Sequence, residues 1–494
     1  MILRSLIVCL AFAAAARAEE PLRVGLTELP PNRGNPFSSI YTPASWTLSP
    51  QFDGLTHLTD DGRLIPWLAT SWRATSPTTW EFTLRENVTF SNGEPFDAAA
   101  VAATVNYLAA PQQAGLALAR ELSTLKSART IGPLVVEITT DAPNPMLPNE
   151  ASWLFIPAPR AWAELGPEKF ATAPVGTGPY RQMAWRVGRA EFDAVPTAWR
   201  KPVAERVVFI QVSESSARLQ AVLSGQLDVS TEVTPDESDT LAAAGGRLVP
   251  IGLSGVWAMV MNNVKDGSPF RDVRVRRALN LAINRQNIID VLLAGATKPA
   301  SQPAPRGADG YNPDLPLFPY APDEARRLLA EAGYPDGFKF VMESGSGAGS
   351  RNSLVSQQVA ADLAAVGVTM EIRSVPVSLI LTKMQNGGWD GTAFTLSFFT
   401  PTQDALRPMR NQSCLWVHPW YCDPDAMPLI NQALAEFDLD TRRALVRQVM
   451  ARSHDQAQAL FLYDGVGFMG LGRRVAELPS DISYLRFDAL KWRE

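Results

Sequence analysis

Histidine and cysteine are scarce, three of each in 494 residues. His57, His418 and His454 form no His-x-x-x-His pair, and no Cys/His cluster has ligand spacing, so no resident metal is expected. There is no Gly-x-Ser-x-Gly elbow, which removes the usual signal of a serine hydrolase. Lys and Arg never gather into a block, and the net charge is only −5, so nucleic acid is not an expected partner. Beyond the first eighteen residues no run of 18 apolar residues occurs, so no membrane-spanning helix is expected in the mature chain. Carboxylates are scattered rather than visibly paired, although those of a glycosidase can lie far apart in sequence. These absences leave catalysis and a bound cofactor without support, and the chain is not expected to be an enzyme.

What remains is a large, ordinary globular composition. Apolar residues make up 46% and charged residues 19%, enough for a sizeable core. At about 150 residues per domain the length suggests two or three domains. Met1 to Arg4 gives a positive start, Leu6 to Ala16 an apolar run, and Ala16-Arg17-Ala18 a small-x-small site. Residues 1–18 therefore read as a cleavable secretory signal peptide carrying Cys9 away, and a periplasmic, exported protein is expected. Cys414 and Cys422, eight positions apart, then suggest a local disulfide in an oxidising compartment. Two free thiols, or zinc with His418 between them, are the alternatives.

Strand and helix patterns alternate along the chain, which makes the class α/β. Strands are predicted at 23–26, 80–84, 134–139 and 207–212. Helices are predicted at 98–108, capped by Asp97, and at 215–223, 273–293, 323–332 and 442–459. Residues 338–342, 354–365 and 368–375 read as a strand–helix–strand unit. Between the first two, Gly345 to Ser350 reads as a flexible turn; it has no Gly-Lys-Ser/Thr to make it a phosphate loop.

Four groups of motifs, in order along the chain, resemble the bacterial extracellular solute-binding proteins, family 5. The first is Asp53-Gly54-Leu55, then Gly62 to Trp72, Trp80 to Phe90 and Asn92 to Ala98. The second is Pro174-Val175-Gly176-Thr177-Gly178-Pro179-Tyr180, with Ala217-Arg218 and Gly225 to Val229 further on. The third is Pro269 to Leu279 with Ala282 to Arg285, and the fourth Ala321 to Ala325 leading to Leu328 to Tyr334. On the residues themselves, Trp67, Trp72 and Trp80 read as packing rather than as a stacking platform. The glycines of 176–179 read as close backbone approach.

The resemblance implies a periplasmic binding protein-like fold, two lobes about a hinge plus an extra early domain. Lobe I would be discontinuous (19–59, 172–262 and 475–494), the additional domain II would be 60–171, and lobe III 263–474. It implies delivery of a solute, a di- or oligopeptide first, to the permease subunits of an ABC importer by a monomer. An opine, an oligosaccharide or a nickel complex, or a secreted hydrolase, is the alternative. By likeness to relatives the pocket would draw on the loop after the first strand and on a late aromatic/acidic loop. In this chain those hold Tyr41 and Trp46, then Phe398, Phe399, Asp404 and Arg407, with Trp416 beside the cysteines. The W-x-x-D loop by which peptide binders hold an amino terminus is replaced by Ser397-Phe398-Phe399-Thr400, leaving Asp404 as the nearest acid.

Overall fold

The computed structural model describes residues 21–31, 33–346, 350–482 and 484–494. The expected signal segment and the centre of the Gly345–Ser350 turn lie outside them. In chain order the elements used below are β1 (Leu22–Leu26), α1 (Thr42–Leu48), β2 (Ala69–Ser76), β3 (Thr79–Leu84), α2 (Ala98–Ala109), β4 (Leu125–Gly132) and β5 (Val135–Thr140). They continue as β6 (Tyr180–Arg186), β7 (Arg189–Ala194), β8 (Arg206–Gln211), α3 (Ser215–Leu223), β9 (Val229–Thr231), β10 (Arg247–Met261) and α4 (Val273–Ala282). The last are β11 (Phe338–Ser346), α5 (Ser350–Ala364), β12 (Val368–Pro376), β13 (Ala393–Phe398), α6 (Leu439–Asp455) and β14 (Ala459–Leu471).

One ten-stranded sheet runs through both lobes in the order β12-β11-β13-β10-β14-β9-β1-β8-β7-β6. The first strand sits inside it, parallel to both β8 and β9. Leu22, Val24 and Leu26, which share one face, are fully buried, while Arg23 on the other face is partly exposed and pairs with Asp228. A separate antiparallel sheet, β2-β3-β5-β4, belongs to the early part of the chain. Helix α2 packs on it, started by the Asp97 carboxylate, which accepts from Ala100 N–H at 3.0 Å. Val101, Val105 and Leu108 give that helix its buried face.

Among the described residues, only β10 and β14 serve both halves of the large sheet. Residues 247–252 pair with 466–471 in the first half, and 256–260 with 459–464 in the second. The register breaks between Gly252 and Val256, where Gly255 has φ +126°. A Cβ at Gly255 would lie 2.4 Å from the Phe398 carbonyl oxygen, and one at Gly465 would lie 2.8 Å from that of Leu253. The chain therefore needs glycine in both strands to pass through this crossing.

Two sequence expectations change here. The pattern over 273–293 is not one helix: α4 ends at Ala282, Ile283 is extended, and a π-turn follows at Ile288–Leu292. The cause is Arg285, which is buried and donates to Asn280 O at 2.8 Å, Asn280 Oδ1 at 2.6 Å and Phe461 O at 2.6 Å. Burying that guanidinium requires the chain to leave the helical path. The late helix begins earlier than predicted, at an Asp438 cap that accepts from Thr441 N–H at 2.9 Å, and stops at Asp455 to let β14 start.

Candidate ligand cleft between the lobes

The motifs near both ends of the first lobe converge on one buried carboxylate. Asp53, fully buried, accepts from Trp67 Nε1 (2.8 Å), Arg200 Nε (2.8 Å), Thr177 Oγ1 (2.7 Å) and Trp199 Nε1 (3.0 Å). Arg200 also reaches Asp488 at 2.8 Å and the Tyr484 hydroxyl at 2.9 Å. Gly176 and Gly178 lie against this strip, where a Cβ would come within 2.0 Å of Gln51 O and 2.4 Å of Pro50 O. Trp67 packs flat on His57 and edge-on to Trp199. This motif cluster is a framework that fixes the floor of the first lobe.

The early domain, through residues 121–153, meets the second lobe across a set of polar contacts from residues far apart in sequence. Trp153 Nε1 donates to Pro401 O at 3.1 Å and Asn149 Nδ2 to Thr402 O at 3.1 Å. Arg407 forms a two-pronged pair with Glu121 (Nε–Oε1 3.0 Å, Nη2–Oε2 2.6 Å). Arg410 donates to Glu121 O at 2.8 Å and reaches Glu150 Oε1 at 3.4 Å. Burial alone would raise Glu121, but the charge and hydrogen bonds of Arg407 outweigh it and hold the carboxyl below its ordinary value. Glu150 is raised by burial, which the charge of Arg410 and a hydrogen bond from Asn144 only partly offset.

The residues expected at the site fall into distinct roles. Phe399 and Arg407 stand together at the junction: the guanidinium lies 5.3 Å from the ring centroid and donates to Phe399 O at 3.1 Å. Asp404 lies beside them, but Arg442 donates to both its oxygens, at 3.1 and 2.8 Å, so its charge is already met. Burial would depress Arg442; the Asp404 charge reverses this and holds it above its ordinary value. Phe398 is 1% exposed and packs edge-on to Phe461 within the second lobe's core. Trp416 packs against that core and donates to Met384 O at 2.7 Å. Trp46, 2% exposed, sits in the first lobe's core with Ile251, and its Nε1 has no partner. Tyr41 stands at the start of α1, half-exposed; partial burial and then the neighbouring Glu28 push its hydroxyl upward. Cys414 and Cys422 are joined, with sulfurs 2.08 Å apart.

Sequence reading did not single out Glu121, Glu150, Ser254, Thr400, Arg442 or Asp464. Asp464 lies on β14 opposite Val256, its Oδ2 accepting from Arg306 at 2.6 Å while Oδ1 is buried without a partner. Burial raises that carboxyl despite Arg306. The one advance signal for Ser254 was its setting, Gly252-Leu253-Ser254-Gly255, unusual inside a strand. A crevice of about 20 Å³ at the junction is lined by Ser45, Ser152, Trp153 and Pro401, among others. Among the described residues, no group of three or more His, Cys, Asp or Glu could hold a metal ion, and no helix is long and apolar enough to cross a membrane.

Two α/β lobes joined by paired crossing strands, with facing polar walls, define a solute-binding protein of the two-lobed kind. The chain belongs to the bacterial extracellular solute-binding proteins, family 5, whose model matches residues 63–413. It is 28% identical over 496 residues to the nickel-binding periplasmic protein of Escherichia coli, covering 92% of this chain and 90% of that one. It is also 28% identical over 400 residues to the glutathione-binding protein GsiB of Salmonella paratyphi A (76% of this chain, 73% of that one). In fold it matches the crystal structure of NikA from Brucella suis in complex with Fe(III)-EDTA. The TM-score is 0.81 at 24% identity, over 96% of this chain and all of that one.

Proposed function

We propose that the protein is the periplasmic capture component of an ABC importer, taking a di- or oligopeptide between its lobes and presenting the closed form to the permease. The observation that carries closure is the crossing of β10 and β14, a two-strand connection with its register broken at Gly252–Val256. Such a joint lets the lobes rotate with few dihedral changes, and a ligand touching both walls favours the closed form by its differential affinity. The peptide reading is supported by the relative named for glutathione, itself a tripeptide. The pairing of Asp404 with Arg442 favours a second cargo, an uncharged organic solute such as an oligosaccharide, because no free acid is offered to an amine at that position. We assign 60–171 to domain II, 263–474 to lobe III and the rest of 19–494 to lobe I, after removal of a signal peptide at 1–18. The pairing of β1 with β8 and β9 supports the discontinuous lobe.

Small-angle scattering with and without a peptide library tests the reading. A smaller radius of gyration with ligand is expected; an unchanged radius for every peptide and neutral solute tried rules out binding by closure.

A further inference from the structure

Charge at the lobe junction is neutralised within the protein. Glu121 faces Arg407, Glu150 faces Arg410, Asp404 faces Arg442 and Asp464 faces Arg306. Two of these pairs, Glu121–Arg407 and Asp404–Arg442, are buried, and an ionic solute that stranded one of their members would be strongly disfavoured. Around the crossing strands, in contrast, three neutral side chains are more than nine-tenths buried and have no hydrogen-bond partner: Trp46 Nε1, Ser254 Oγ and Thr400 Oγ1. The fold brings them to one region. Val256 is opposite Phe398 at the end of the β10–β13 register, and Ser254 and Thr400 each lie two residues beyond that pair. Trp46 shares its apolar cluster with Ile251 and Leu253, which lead into Ser254. Thr400 precedes Pro401, the carbonyl that Trp153 holds across the junction.

Buried polar groups are normally satisfied, so three without partners at one joint call for an explanation. We propose that the cleft takes an uncharged solute, whose hydroxyl or carbonyl oxygens are held by Trp46, Ser254 and Thr400. The indole N–H can only donate, so the solute must present an acceptor to it; the two hydroxyls donate or accept. The unpartnered Asp464 Oδ1 adds an acceptor near the joint while its charge stays with Arg306. This inference rests on the closure reading above and narrows its cargo to neutral molecules, including peptides with blocked ends.

The test uses the intact protein and two probe pairs that differ in charge: N-acetyl-alanyl-alanine amide against alanyl-alanine, and maltotriose against its terminal carboxylic acid. Calorimetry should show the neutral member of at least one pair binding at least roughly tenfold tighter than its twin, since the twin must break an ion pair. Ser254→Ala, Thr400→Ala and Trp46→Phe should each weaken that binding by roughly two- to tenfold, the worth of one neutral hydrogen bond. Circular dichroism and the unfolding midpoint report whether each variant is still folded. Equal or tighter binding of the charged members, no binding by either neutral probe, or full affinity in all three folded variants overturns the proposal. Scattering separates the two readings. Contraction with charged probes alone refutes the neutral class and keeps closure; contraction with none refutes both.

Discussion

Asp53 shows how one side chain can organise distant segments. Its oxygens accept from Trp67, Thr177, Trp199 and Arg200, and removing them would leave the Arg200 guanidinium buried against fewer acceptors. Asp53→Ala should therefore destabilise the protein by about 3–5 kcal/mol in urea unfolding, the cost of stranding a buried charge. Glu121 and Glu150 respond to acid in opposite senses. Glu150 has its pKa raised by burial, so it protonates first as pH falls and loosens its contact with Arg410. Glu121 has its pKa lowered, so its stabilising contribution is complete above 4.5 and is lost only as pH falls through the lower folded value. Fluorescence transfer between labels on the two lobes should show two acid steps, and Glu150→Gln should remove the one at higher pH. A single step unaffected by that substitution would contradict the assignment. At this scale the sequence offered Arg407 and Asp404 as candidates but not their partners. Glu121 is 286 positions from Arg407, and no local pattern signals a pairing across that interval.

At the scale of elements, strong local signals were legible. Asp97 announced α2, and the alternation in 80–84 announced β3. The two longest strands were not, because β10 contains Pro250, Gly252 and Gly255, and β14 contains Gly465, Gly467 and Gly470. Those residues weaken a strand pattern, yet the crossing geometry requires the glycines. Gly255→Ala should cost about 1–3 kcal/mol, through its positive φ and its approach to Phe398 O, and alter closure seen by scattering. A variant as stable and as contractible as the parent would show that the joint tolerates a side chain. The Cys414–Cys422 bridge closes a short loop, and its reduction should lower stability by about 2–3 kcal/mol by chain entropy. Equal denaturation midpoints with and without reductant would refute that figure. The break at Ile283 escaped prediction because Arg285 reads from sequence as one more exposed helix charge, whereas its acceptors lie 5 and 176 residues away.

On the scale of the whole molecule, two lobes and an early sheet are held by pairings between segments hundreds of residues apart. The motifs that resembled family 5 turn out to be largely framework: Asp53, Trp67, Thr177 and Gly178 surround one buried node rather than a ligand. That is why the family was readable in the sequence while the cleft was not. Framework motifs need particular residues at fixed local spacings, whereas cleft residues are assembled from separate segments.

The threading of the large sheet also sets an order of assembly. β1 is laid down first, yet its neighbour β9 has its other edge covered only by β14, which ends at Leu471. A chain stopped before Ala459 lacks the strand that completes both lobes, and neither half of the sheet can close its centre. Such dependence on pairs separated by hundreds of residues slows folding. The large sheet of this design is thus completed only once almost all of the chain has been synthesised.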